Sequence, residues 1–173
     1  MSGLHFHPLR VRAVHADTAD SAVVTFEVPA ELRATFGFQP GQYLTLRQPG
    51  HDLRRSYSIC AAAGESLRVG VRHVPGGAFS SWLHASLKAG DTLEVMEPEG
   101  RFGVAAAKVA APRHVLGIAG GSGITPVVTI GHHCPAPQGI PVAVRCCRHG
   151  LNRNGRRHGV DHLEGGQLVA LLQ

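Results

Sequence analysis

The sequence predicts a mainly β chain: a small antiparallel barrel carrying one helix, followed by the start of an α/β nucleotide-binding domain. Three observations predict it. Short segments rich in β-branched and aromatic residues recur through residues 9–96, divided by Pro and Gly. A Gly-rich turn, Pro75-Gly76-Gly77, leads into the clearest helical stripe of the first half. A continuous apolar run, residues 114–119, then enters Gly120-Gly121-Ser122-Gly123, the pattern of a buried parallel strand meeting a nucleotide loop.

Residues 9–14 alternate as Leu-Arg-Val-Arg-Ala-Val, a strand with its basic residues outside. Asp17-Thr18-Ala19-Asp20 reads as a turn, and residues 22–28 as a second strand ended by Pro29. Residues 31–35 suit one helical turn. Pro40-Gly41 precedes a strand at 42–46, and Pro49-Gly50 breaks it. Strands are expected at 54–61 and 67–72, with Gly64-Glu65 turning between them. A helix is expected over 82–88, with Trp82, Leu83 and Leu87 as its apolar stripe, Ser80 or Ser81 as its cap and Gly90 as its stop. Residues 92–96 form one more strand. Residues 105–112 read as a linker, and 127–130 as the start of a helix behind the second Gly-rich loop.

A chain of 173 residues suits one domain, or one and part of another. Hydrophobic residues make up 43%, which argues against general disorder. The net charge of +5 favours acidic or phosphate-bearing ligands. No basic helix with interleaved aromatics points to nucleic acid. Cys60, Cys134, Cys146 and Cys147 form no Cys-x-x-Cys pair, so no metal site is expected and the thiols read as free. Residues 1–8 lack the charged start and apolar core of a signal peptide, and no apolar run reaches the length of a membrane span. A cytoplasmic protein is the expectation.

Arg55-Ser56-Tyr57-Ser58 carries the first candidate chemistry. Alternation places Arg55 and Tyr57 on one strand face, and Ser56 and Ser58 on the other. A planar cation beside an aromatic ring suits a ligand that is anionic at one end and flat at the other. Taken alone, these four residues are better explained as an ordinary edge strand with an exposed Arg and a half-buried Tyr. The downstream turn changes the balance: a Gly-rich turn feeding a helix leaves amides free for a phosphate.

Arg55-x-Tyr57-Ser58, Gly77-x-x-Ser80 and Gly120-Gly121-Ser122-Gly123-Ile124-Thr125-Pro126 occur in the order and spacing of the ferredoxin–NADP reductase family, which the chain resembles over residues 9–128. Within it the chain is most similar to the reductases of phenylacetate degradation, through stretches such as Phe38-Gln39-Pro40-Gly41-Gln42-Tyr43 and Glu97-Pro98-Glu99-Gly100-Arg101-Phe102. The resemblance implies a Greek-key FAD-binding barrel and a nicotinamide nucleotide, NADH or NADPH, as electron source. It implies that Arg55 contacts the FAD pyrophosphate, with Ser56 beside it, that Tyr57 stacks on the isoalloxazine, and that Ser58 acts near flavin N5. His73 and Val74 are expected along the flavin, and Gly76, Gly77 and Ser80 at the pyrophosphate. Gly120, Gly121, Ser122 and Gly123 are expected to form the nicotinamide-nucleotide loop, with Thr125 close to the reacting rings. Ser58 and Thr125 are the expected catalytic pair.

The expected division is a flavin barrel at residues 4–106, the start of a nucleotide-binding domain at 113–131, and an atypical, disordered tail at 132–173. From His132 the chain reads His-His-Cys-Pro-Ala-Pro, which is expected to stop the helix. Arg, His, Gly and Cys crowd the tail, and no Phe, Tyr or Trp follows Phe102. This composition suggests a truncated nucleotide domain, read out of frame after about Ile130. The run of cysteines that holds a plant-type iron–sulfur cluster is absent, so none is expected in this chain. The resulting expectation is a reductase passing electrons from NAD(P)H through FAD to an iron–sulfur carrier or oxygenase. The competing expectation is a flavin-binding fragment without turnover.

Overall fold

The computed structural model describes residues 5–62, 64–102, 116–119, 123–133 and 143–146. The strands of the first part are β1 (His7–Thr18), β2 (Ser21–Glu27), β3 (Tyr43–Arg47), β4 (Arg54–Ser58), β5 (Arg68–Arg72) and β6 (Thr92–Val95). They form one six-stranded sheet in the order β4-β3-β6-β1-β2-β5, with every pairing antiparallel. The sheet closes where Ile59, just past β4, bridges to Val69 of β5. The Cys60 amide donates to the Arg68 carbonyl at 2.9 Å at the same seam. The two end strands β4 and β5 thus meet at this seam and close the sheet into a barrel at one end.

The barrel interior follows from period-two alternation. Ala22, Val24 and Phe26 of β2 are buried, and the residues between them are not. Leu9, Leu44, Leu46, Val69, Val71, Leu93 and Val95 complete a fully buried core. Helix α1 (Ala78–Ser86) covers one end through Phe79 and Leu83. Leu83 is fully buried, a burial that contributes about 2 kcal/mol. Gly41 is required by its surroundings: φ is +87°, and a Cβ there would lie 1.5 Å from the Phe102 carbonyl oxygen.

Several boundaries differ from the expected ones. β1 runs on to Thr18, so the turn contracts to Ala19-Asp20. Thr18 Oγ1 lies 2.6 Å from Ser21 Oγ and donates to Asp20 Oδ1 at 2.8 Å, which ties the hairpin end. α1 starts at Ala78, not at residue 82, because Gly76 turns the chain at φ +76° straight into the helix. It ends at Ser86, since Leu87 is already extended.

The second part holds β7 (Leu116–Ala119), α2 (Ile124–His133) and β8 (Ala143–Cys146). β7 and β8 pair in parallel, from Leu116↔Ala143 to Ala119↔Cys146. The expected helix start is corrected here: the helix begins at Ile124, ahead of residue 127, and it ends at His133, just before the Cys134-Pro135 expected to stop it. Pro126 falls in its first turn, where the missing N–H is no loss. Within the segment expected to be an atypical tail, the described residues Ala143–Cys146 form β8 by pairing with β7.

Candidate functional site

β4 pairs with β3 in the register Leu46↔Arg55, Thr45↔Ser56, Leu44↔Tyr57 and Tyr43↔Ser58. Arg55 and Tyr57 therefore share a ladder face with Leu46 and Leu44. Those two leucines are fully buried, whereas Arg55 is exposed and Tyr57 half-buried. Along this ladder the core face runs out into solvent and ends in a ring and a cation. The Arg55 Nη1 donates to the Arg54 carbonyl at 2.8 Å, and among the described residues no carboxylate pairs with its guanidinium. Burial raises the Tyr57 phenol pKa, while the Arg55 charge pulls the other way. The Ser56 hydroxyl is taken up across the ladder by Thr45, with the two oxygens 2.9 Å apart.

The wall opposite is the turn between β5 and α1. The His73 amide donates to the Asp20 carbonyl at 2.7 Å, and His73 Nε2 lies 3.1 Å from Ser81 Oγ. The Val74 side chain is 55% exposed. Gly76 has open space where a Cβ would be, so a ligand can approach its backbone. Gly77 has no such space: a Cβ would meet Ser80 Oγ at 2.8 Å and the Val74 carbonyl oxygen at 3.0 Å.

Ser80 is buried, and its Oγ accepts the Val74 amide at 3.1 Å. Neither Ser80 nor Ser81 caps α1; the N-cap is Gly77, with no side-chain bond. Both hydroxyls are instead engaged with the turn before the helix. The first-turn amides of Ala78, Phe79 and Ser80 thus have no helical partner and no serine cap.

Tyr57 and Phe79 connect the two walls, their ring centroids 6.0 Å apart. His84 of α1 donates from Nε2 to the Val71 carbonyl at 3.0 Å, which ties the helix to β5. Its ring lies 5.5 Å from that of His73.

The expected nicotinamide residues are less fully described. Gly120, Gly121 and Ser122 lie outside the described residues. Gly123 is exposed just before α2, and Thr125 is half-buried in its first turn. Thr129 Oγ1 donates back to the Pro126 carbonyl at 2.9 Å and the Thr125 carbonyl at 3.2 Å. α2 meets the barrel at Gly41, where a Cβ would lie 3.1 Å from Ile130 Cδ1. Among the described hydrogen bonds, none joins Thr125 to Ser58. Sequence reasoning missed Thr45, Phe79, Ser81, His84 and Asp20. The first four lie within or beside the quoted motifs, whereas Asp20 is brought to His73 only by the pairing of β2 with β5.

A closed six-stranded barrel, a strand ending in ring and cation, and a Gly-rich turn under one helix define a flavin-binding barrel of the reductase class. Residues 8–103 match the family of oxidoreductase FAD-binding domains, and the chain belongs to that family. FAD is the cofactor of that domain family. The chain is 43% identical over 129 residues to one component of the 1,2-phenylacetyl-CoA epoxidase of Escherichia coli (strain K12), covering 72% of this chain and 36% of that protein. It is 38% identical to the ferredoxin reductase component of 3-ketosteroid-9-alpha-monooxygenase of Rhodococcus rhodochrous, over 70% of this chain and 35% of that one. The chain thus spans about a third of the length of these curated relatives. The crystal structure of the Amycolatopsis cytochrome P450 reductase GcoB superposes with a TM-score of 0.68 at 31% identity, over 84% of this chain and 44% of that one. No helix among the described residues is long and apolar enough to cross a membrane.

Proposed function

We propose that the chain is the flavin-bearing part of a reductase component that takes electrons from NADH or NADPH and passes them to an iron–sulfur carrier or oxygenase. Degradation of phenylacetate or a related aromatic compound is the proposed setting. The observation that carries the reading is the pairing of two unmatched anion-binding features across one ring. Arg55 lacks a carboxylate partner among the described residues, the amides opening α1 lack helical partners, and Tyr57 and Phe79 stand between their elements. The residues present fit FAD.

When bound, FAD accepts a hydride from a nicotinamide and releases electrons singly. The protein's residues do the rest. Arg55 grips the diphosphate through its planar fork. The amides of Ala78, Phe79 and Ser80, with the positive end of α1 behind them, hold the same diphosphate. Gly76 admits it, and Gly77 and Ser80 keep the turn in shape. Tyr57 supports the ring system by stacking, and the backbone of His73 and Val74 borders it. Ser58 would offer its hydroxyl to the flavin ring, while Ser56, held by Thr45, fixes the strand between these contacts. Gly120, Gly121, Ser122 and Gly123 receive the nicotinamide nucleotide, and Thr125 orients its ring against the flavin. The flavin unit spans residues 4–106 and the nucleotide unit starts at 113. The partner reading rests on relatives named as parts of an epoxidase and of monooxygenase systems.

The visible absorption spectrum tests this. Titration with FAD is expected to give a protein-bound flavin band, and NADH or NADPH added without oxygen is expected to bleach it. A band that forms and survives both nucleotides reduces the chain to a flavin-binding unit without turnover. Absence of any bound band overturns the flavin reading itself.

A further inference from the structure

We propose a divalent metal site of the zinc class at His5, His7 and Glu97, where the start of the chain crosses the end of β6. His5 and His7 are two residues apart in extended backbone, so their rings project from one face. Antiparallel pairing sets His7 opposite Val95, and the same register continued by two residues brings His5 opposite Glu97. The three side chains therefore converge by strand geometry. His5 Nδ1 and His7 Nε2 are 2.9 Å apart, and His7 Nε2 is 3.6 Å from Glu97 Oε1. All three ligand atoms lie within 4.8 Å of one another.

These separations match a shared metal. Zinc bonds of about 2.1 Å at tetrahedral angles put neighbouring ligand atoms about 3.4 Å apart. The observed 2.9 and 3.6 Å bracket that value. Two imidazole nitrogens 2.9 Å apart share one proton between them, and a divalent ion that both ligate takes that proton's place. The carboxylate balances part of the charge. Two imidazoles and one carboxylate suit zinc, and a fourth position stays open to water. His7 is already oriented: its side chain is 13% exposed, and its ring meets the buried Phe36 edge-on with centroids 5.4 Å apart. His5 and Glu97 are exposed, so the ion has an entry path. Bound metal clips the segment before β1 to the segment after β6. The site uses none of the residues assigned to the flavin.

Cobalt(II) chloride titrated into the full chain tests the site, with histidine and cysteine residues elsewhere as the competing ligands. The expected result is one equivalent bound with ligand-field bands and no thiolate-to-metal charge-transfer band. His5→Ala and Glu97→Gln each weaken binding at least about tenfold, with far-UV circular dichroism unchanged because both side chains are exposed. At a fixed zinc chloride concentration the melting temperature rises more for the parent chain than for either variant. Equal titrations for parent and variants overturn the proposal. So does a spectrum dominated by thiolate bands, which puts the ion on the cysteines, and so does the absence of binding.

Discussion

The Val74 amide donates to the buried hydroxyl of Ser80 at 3.1 Å, across the turn that opens α1. The same hydroxyl lies 3.4 Å from the Gly77 carbonyl, so one side chain fixes both ends of the Gly-rich turn. Its part in flavin binding is therefore to shape the turn that presents the amides.

Ser80→Ala leaves the Val74 N–H without its partner in a half-buried turn. Urea denaturation is expected to show a loss of about 1–2 kcal/mol. FAD affinity falls only as far as the turn loosens, so equilibrium titration should show a smaller effect than at Arg55.

Arg55→Ala is expected to weaken FAD binding about 10- to 100-fold, the worth of hydrogen bonds to a charged group. The melting temperature of the apoprotein stays within experimental error, because Arg55 is exposed and its side chain bonds only the adjacent carbonyl. Arg55→Lys recovers part of the affinity, since it restores the charge but not the fork. Fluorescence quenching of free FAD measures all three proteins.

Gly41→Ala and Gly50→Ala separate backbone strain from collision. Both glycines have positive φ, +87° and +78°. At Gly50 nothing lies within 4 Å of the new methyl, so the cost is about 1–2 kcal/mol from conformation alone. At Gly41 the methyl would collide with the Phe102 backbone, and the cost exceeds about 4 kcal/mol. Soluble yield and thermal melts report the difference.

Cys60 gives a pH signature. Burial raises its thiol from 9.0 to about 11. The folded state then holds the proton that the unfolded state releases, so stability is unaffected below pH 9 and falls as pH rises from 9 towards 11. The size is on the order of 2 kcal/mol. Denaturation of the parent and of Cys60→Ala at pH 8 and pH 10.5 measures it. The alkaline loss should shrink in the variant, with a remainder of the same sign from Tyr57, whose pKa burial also raises. At pH 8 the thiol should alkylate far more slowly in the native protein than in urea.

Most of the barrel is legible in the sequence because its signals are local. Pro40-Gly41, Pro49-Gly50 and Gly64 punctuate the strands, and the alternation of Ala22, Val24 and Phe26 identifies an inward face. The apolar stripe from Trp82 places α1 four residues late, because the turn at Gly76-Gly77 sets its true start. β8 escapes a sequence reading for a different reason. Ala143–Cys146 is too short to show a period of its own, and its partner β7 is distant in the chain.

By itself, the sequence determined the barrel class, the order of its motifs and the residues that face one another along β4, since turn chemistry and period-two alternation act between near neighbours. Only the tertiary structure decided which polar groups remain available. Ser56 is taken up by Thr45, Ser80 by Val74 and Ser81 by His73, while Arg55 keeps its guanidinium clear of carboxylates among the described residues. Closure at Ile59↔Val69 and the convergence of His5, His7 and Glu97 belong to the same category. Each depends on strands far apart in the chain coming into register, and that register is set by burying the whole core at once rather than by any one segment.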